Sequence, residues 1–422
     1  MSEIPTKPNV EGSPETIRQV NQEKSFHHPC FNGCGGKNTR LHLPVAPACT
    51  IQCNYCVRKY ECVNESRPGV TATVLSPREA LERFLEAKQR LGNLDVVGIA
   101  GPGDALAEFE KTRETFALIR EADPELTCCL STNGLLLPRY ADEIAALGVS
   151  HVTVTVNALD PAVGKRIYRR VDFEGKHYTG IEAAAILLEN QYAGIERLKA
   201  LGIICKVNIV MLKGINDTQI PGIVEKVKEA GADLTNIMQL IPVKGSIFEH
   251  LPLTSNAEIT EMRKSCELIL PQMYHCRQCR ADAAGTLDED ISYTFTSAAL
   301  EKSAAESAGI VRTCLFAVAS QNGMLVDQHF GHATGFYMYE YKDGQITFIE
   351  RREVPQYCFG SNRCGSAENT MERILETIAG CSGVIAMRIG EIPRVRLAEQ
   401  GIEVFMTYNY ITDAVREAAE RS

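Results

Sequence analysis

The chain of 422 residues has no apolar run near the roughly 18 residues a membrane-spanning helix needs, which excludes a helical span. Nor does it carry an excess of basic charge. Its 44 Lys and Arg stand against 53 Asp and Glu, a net charge of −9, so a nonspecific nucleic-acid binder working through a basic face is excluded. The first 25 residues lack an apolar core and hold Pro5, Pro8 and Pro14, so no secretory signal is read there and a cytoplasmic location is expected. The rest of the composition is ordinary for a globular protein, at 45% hydrophobic and 23% charged. At roughly 100–200 residues per domain, the length predicts two or three domains, one large enough to be a barrel with a sizeable core.

The 16 cysteines are too sparse for a disulfide scaffold, and a reducing compartment argues against disulfides in any case. Some, such as Cys205 and Cys381, read as small buried hydrophobes. Their distribution says more. Cys30, Cys34, Cys49, Cys53, Cys56 and Cys62 share one 33-residue stretch, and Cys276 and Cys279 form a separate pair. Clustered thiolates under reducing conditions mean soft metals, either zinc or iron–sulfur.

Along the chain, residues 1–26 read as a flexible tail. A strand-then-helix rhythm follows. Strands are predicted at 41–46, 95–100, 126–131, 151–156, 203–210 and 236–241, with helices near 108–121, after Pro138, and at 181–201, 220–229 and 256–270. Strands alternating with helices at this spacing imply βαβ units and a parallel sheet. Five or six units fit a partial, open (β/α)6 barrel of TIM type better than a complete eightfold one. Chemistry in such barrels collects at the C-terminal strand ends, where 49–56, 101–104, 131–133 and 155–157 are polar loops. An Ala/Ser/acid-rich stretch at 283–309 reads as a linker. A second α/β domain spans 310–422, with strands at 312–319, 337–341, 346–349, 383–387 and 402–405 and a helix near 371–379.

Cys49, Cys53 and Cys56 are spaced x3 then x2. Three thiolates on one short loop can hold three irons of a cubane and leave the fourth open to a chelating cosubstrate. A three-ligand zinc site would use the same donors. With Tyr55 directly before the last cysteine, the motif resembles the radical S-adenosylmethionine signature. That resemblance implies a [4Fe-4S] cluster on Cys49, Cys53 and Cys56, with S-adenosylmethionine bound at its open iron and cleaved there by an electron. It implies contacts to the cosubstrate from Gly103 and Asp104 after a barrel strand, the carboxylate accepting from the methionine ammonium. Tyr55, Thr155 and Val207 are further contact candidates, for which plain strand-end packing is the other explanation.

Wider strings narrow the family. His28-Pro-Cys30, Arg40-Leu-His42, Cys62 to Gly69, Cys129 to Gly134 and Cys276 to Asp282 together resemble the NifB family of nitrogenase cofactor maturation proteins. Residues 310–422, with His329 and His332, resemble the NifX-type iron–molybdenum cofactor-binding domain, of ribonuclease H-like α/β fold. The likeness implies a radical S-adenosylmethionine core at 27–282 that fuses two [4Fe-4S] cubanes, with a carbide and an extra sulfide, into an eight-iron nitrogenase cofactor precursor. It implies methyl transfer from one S-adenosylmethionine and hydrogen abstraction by a radical from a second, a lyase-type cleavage serving nitrogen fixation. Cys30, His42, Cys62, Cys129, Cys276 and Cys279 would ligate the substrate cubanes, the neutral imidazole being the more labile ligand. Glu65 would be a catalytic proton acceptor or transient ligand, or else a salt-bridge partner of Arg67. Cys34 is either a ligand or an unliganded thiol, while Cys128 is expected to face the other side of its strand. His329 and His332 can cap an anionic cluster, with Cys358 and Cys364 as further possibilities. Implied partners are cluster donors, cofactor carrier or scaffold proteins of nitrogenase maturation and an electron donor such as ferredoxin, with no nucleic acid and no membrane. Two other readings are a different radical enzyme with auxiliary clusters and a noncatalytic iron–sulfur scaffold.

Overall fold

The computed structural model describes residues 13–31, 38–58, 62–63, 74–243, 245–287, 290–295, 314–321, 323–342, 345–357 and 367–421. Cys34, Glu65, Cys358 and Cys364 lie outside the described residues. The chain divides into two units, Met1–Ile291 and Ser292–Ser422.

The first unit starts with α1 (Pro14–Ser25), opened by Ser13, whose side chain caps the Thr16 N–H. This corrects the expectation of a loose tail over 14–25. Asn21 is buried and donates from Nδ2 to the Gly202 carbonyl at 2.9 Å, and Arg18 pairs with Asp233. There follow β1 (Arg40–His42), β2 (Ile51–Cys53), α2 (Pro77–Leu91), β3 (Val96–Ile99), α3 (Phe109–Ala122), β4 (Thr127–Thr132), α4 (Leu137–Ala146) and β5 (Val149–Thr155). The unit continues with α5 (Pro161–Ile167), β6 (Tyr168–Phe173), β7 (Lys176–Tyr178), α6 (Gly180–Ala200), β8 (Ile204–Met211), α7 (Ile220–Ala230), β9 (Leu234–Gln239), α8 (Asn256–Glu267) and β10 (Ala284–Gly285). Local chemistry fixes the helix starts. Ser76 with Glu79, and Ser255 with Glu258, form reciprocal capping boxes on α2 and α8.

The main sheet runs β10-β1-β3-β4-β5-β8-β9. Its six strands from β1 to β9 pair in parallel, and β10 closes the edge antiparallel to β1. This is the expected open (β/α)6 arrangement. The linker reading at 283–309 fails at its start. Ala284–Gly285 is a sheet strand, and Asp290 forms an ion pair at 3.2 Å with the buried Arg40. Periodicity also missed the small sheet β2-β6-β7, in which β2 and β7 are three residues each and carry too little alternation to read.

The second unit holds β11 (Cys314–Val318), β12 (Gly335–Lys342), β13 (Gln345–Glu353), α9 (Ala367–Thr377), β14 (Gly383–Ala386), α10 (Glu391–Glu399), β15 (Glu403–Met406) and α11 (Ile411–Arg421). The sheet order is β13-β12-β11-β14-β15, with only β12 running against the others, which is the expected ribonuclease H-like arrangement. Alternation on β12 sends Phe336 and Met338 to one apolar core and Tyr337 and Tyr339 to the other.

Candidate metal centre

Two groups of metal-type donors form, one at the rim of the barrel and one in its lumen. At the rim, the Cys49–Cys56 loop is not free coil. Its middle is β2, paired antiparallel with β6 from Ile51↔Val171 to Cys53↔Tyr168. Gln52 braces it from inside, donating from Nε2 to the carbonyls of Cys53 (3.1 Å) and Cys56 (2.9 Å). Asn54 ties it to α5 through the carbonyls of Arg166 (2.7 Å) and Ile167 (2.8 Å). Burial, with Asp104 nearby, pushes the Cys49 thiol up to about 12. Such a thiol stays protonated until iron takes the proton's place. Burial also raises Cys56, while the Arg58 guanidinium opposes the shift and supplies positive charge to balance an anionic cluster.

The loop after β3 crosses this segment at very short range. A Cβ on Gly103 would lie 2.0 Å from the Ala48 carbonyl oxygen and 2.6 Å from that of Pro47. Only glycine fits there. The Gly103 N–H donates to the Ala46 carbonyl at 2.6 Å, and the Asp104 N–H to that of Ala48 at 2.7 Å. The Asp104 carboxylate has three donors of its own chain around it. It accepts from the Leu106 N–H (2.9 Å), the Asn133 N–H (2.5 Å) and the Thr132 hydroxyl (3.0 Å). In this structure it clasps the β3 loop to the end of β4.

The other rim residues separate. Tyr55 is buried, its hydroxyl accepting from Asn157 Nδ2 at 2.8 Å. Thr155 lies on the same face of β5 as the lumen residue Thr153. Val207 does not. It sits between Lys206 and Asn208, which line the lumen, so its side chain turns to the helix layer. Cys128 likewise faces away from the lumen beside Cys129, which lines it.

The lumen holds a pocket that is partly open to solvent. Cys30, His42, Cys129, Cys276 and Cys279 line it together. Cys62 is not among its walls; its N–H donates instead to the Pro102 carbonyl at 3.0 Å. The five donors come from four separate segments. His42 ends β1 with its Nδ1 2.9 Å from the Arg280 carbonyl, which makes Nδ1 the protonated nitrogen and leaves Nε2 a lone pair. An imidazole held through its other nitrogen by a carbonyl is the usual posture of a metal ligand. Burial, with Arg40 beside it, pulls this ring down to about 4, so it stays neutral. Burial likewise lowers His28 strongly.

The Cys276–Cys279 turn puts Gln278 at φ 49°, a conformation costing a non-glycine residue on the order of 1 kcal/mol. It turns the Gln278 N–H toward the Cys276 sulfur at 3.4 Å, and Asn236 Nδ2 approaches the same sulfur at 3.3 Å. Arg40 Nε reaches the Cys279 sulfur at 3.2 Å. Hydrogen bonds to sulfur of this kind tune iron–sulfur clusters. The buried bidentate pair of Arg280 and Asp282, at 3.0 and 3.1 Å, holds the turn. Buried Arg40 and Lys206 make the lumen positive, which suits anionic cargo.

Sequence reading missed Arg40, Lys206, Asn208 and Asn236 as site residues. The available signal was spacing: Arg40 precedes His42 by two, and Lys206 and Asn208 interrupt an apolar strand at one period. Among the described residues no three His, Cys, Asp or Glu side chains converge to hold a single ion, as tetrahedral zinc requires. In a cubane each thiolate takes its own iron, so donors spread along a loop fit it.

In the second unit, His329 caps a short helical turn, Phe330–His332, and its ring centroid lies 4.9 Å from that of His332.

Residues 43–227 match the sequence model of the Radical SAM superfamily, and residues 312–421 that described as Dinitrogenase iron-molybdenum cofactor. With its open barrel and rim thiols, the protein is a radical S-adenosylmethionine enzyme, a class that carries a [4Fe-4S] cluster and binds S-adenosylmethionine. The chain is 41% identical to FeMo cofactor biosynthesis protein NifB of Klebsiella pneumoniae, over 90% of this chain and 87% of that protein. Its identity to that of Azotobacter vinelandii is 38%, over 92% and 86%. The chain belongs to the NifB family and acts in nitrogenase cofactor maturation. Among solved structures, methylornithine synthase is 15% identical with a TM-score of 0.38, covering 62% of this chain and 70% of its own.

Proposed function

We infer that the chain makes the eight-iron precursor of the nitrogenase cofactor by fusing two [4Fe-4S] cubanes and adding a carbide and a sulfide. The observation that carries this reading is the convergence of Cys30, His42, Cys129, Cys276 and Cys279 on one positively charged lumen. Cys49, Cys53 and Cys56 would hold the resident cluster, which supplies the electron that cleaves S-adenosylmethionine when bound. One S-adenosylmethionine provides the methyl carbon by transfer, and a second provides the hydrogen-abstracting radical. The chain's own residues hold the substrate cubanes. His42 is the ligand suited to letting go, and Cys62, outside the lumen walls, would engage cargo from the rim side. Glu65 is the proposed proton acceptor.

The catalytic core is assigned to 27–282 and transient holding of the finished cluster to 310–422, with His329 and His332 as its capping pair. Cluster donors, a cofactor carrier and a ferredoxin-type reductant in the cytoplasm complete the scheme. Anaerobic iron and sulfide quantification tests it, with resonance spectra before and after S-adenosylmethionine. Three cubanes give about twelve irons per chain. Cys276→Ala with Cys279→Ala should remove about four while S-adenosylmethionine is still cleaved. Unchanged iron in that variant overturns the two-cubane assignment, and no spectral response to S-adenosylmethionine overturns the radical one.

A further inference from the structure

The lumen contains a second histidine whose hydrogen bonding is the reverse of His42's. His28 is 3% exposed and lines the same cavity. Its Nδ1 accepts the backbone N–H of Cys30 at 3.1 Å, within a turn closed by the Phe31 N–H on the His28 carbonyl at 2.9 Å. A backbone amide can only donate, so Nδ1 carries the lone pair and a neutral ring carries its hydrogen on Nε2. That Nε2 is buried and has no hydrogen-bond partner among the described residues. A buried donor left without an acceptor costs about 1–3 kcal/mol, so its persistence asks for an acceptor that arrives from outside the protein. Phe31 and His151, each with its ring centroid 4.7 Å from that of His28, fix the ring in place. His275 anchors the turn from the other side, its Nε2 lying 2.8 Å from the Pro29 carbonyl.

We propose that His28 is a cargo-binding residue whose Nε2–H donates a hydrogen bond to a sulfur of the cubane held at Cys30. The two histidines then divide the work by tautomer: His42 offers a lone pair to iron, and His28 offers a proton to sulfur. The assignment rests on the reading that the lumen receives an iron–sulfur substrate. It adds a recognition element for the cluster's sulfur surface, which thiolate ligands do not contact.

The test uses the full chain loaded anaerobically with iron and sulfide, without S-adenosylmethionine, so that cargo stays in place. His28→Phe keeps an aromatic ring and removes the donor; His28→Gln keeps an N–H. Iron content should be unchanged in both. In His28→Phe one exchangeable-proton coupling to a cargo cubane should vanish between water and heavy water. The midpoint potential of that cubane should also fall, because the more negative reduced cluster loses a donor; His28→Gln should move it back toward wild type. Potential and couplings equal to wild type in His28→Phe overturn the proposal, as does loss of about four irons in both variants, which would make His28 a ligand. Should His28→Phe not fold, wild-type chain carrying 15N-histidine decides the matter. A weak nitrogen coupling beside the strong one of a ligating imidazole supports the donor, and a single strong coupling overturns it. If the wild-type chain binds only about four irons, the cargo reading itself has failed, and this inference with it.

Discussion

The rim and the lumen of the barrel assemble metal donors in opposite ways. At the rim, three thiols come from eight consecutive residues, and bonds from the side-chain amides of Gln52 and Asn54 to backbone carbonyls brace the loop before any metal arrives. In the lumen, five donors come from four segments between Cys30 and Cys279, and only the closed fold brings them together. A braced loop suits a group that stays for the protein's lifetime. Donors lent by separate segments suit a cargo that enters and leaves, because each segment can release its own bond.

The comparison breaks most easily at the rim. Replacing Cys49, Cys53 and Cys56 together with Ala should abolish S-adenosylmethionine cleavage while the lumen still loads about eight irons. Product analysis by chromatography and iron quantification on one preparation would show both, and retained cleavage would end the division of roles. Gly103→Ala is a gentler break. The added methyl meets backbone oxygens of Ala48 and Pro47, neither of which can rotate away, so the Cys49 segment must shift. Overpacking of this kind costs about 1–3 kcal/mol. A displacement near 1 Å can slow a reaction by about a hundredfold. Cleavage should therefore fall by about one to two orders of magnitude in initial-rate measurements at unchanged iron content. Wild-type rates would show that the close crossing is incidental.

This contrast also explains what was legible in the sequence. The rim motif is local, so Cys49, Cys53 and Cys56 could be read from spacing, and the parallel barrel followed from its βαβ rhythm. The lumen is non-local, and spacing alone could not pool Cys30 with Cys279; family resemblance did. Resemblance is silent on facing. Val207 lies on β8 with its side chain turned from the lumen, a facing that a two-residue period predicts. The bonds that Asp104 accepts from Thr132, Asn133 and Leu106 are likewise ones that no linear pattern reveals. The α1 segment looked like a tail because its composition is polar. Its docking depends on single contacts such as Asn21 to Gly202 rather than on an apolar stripe.

The smallest effect is expected from the second unit. Both regions of donors are drawn from residues before Ile291, and the second unit has its own two apolar cores built on both faces of its sheet. A chain ending at residue 309 should therefore cleave S-adenosylmethionine within about twofold of the full-length rate, since neither rim nor lumen loses a residue. What it should lose is retention. If His329 and His332 hold the finished cluster, the shortened chain should release it sooner during anaerobic gel filtration, and His329→Ala with His332→Ala in the full chain should reproduce that early release. Loss of cleavage in the shortened chain would instead place part of the chemistry in the second unit, and the rim and lumen could no longer be treated as the whole catalytic machinery.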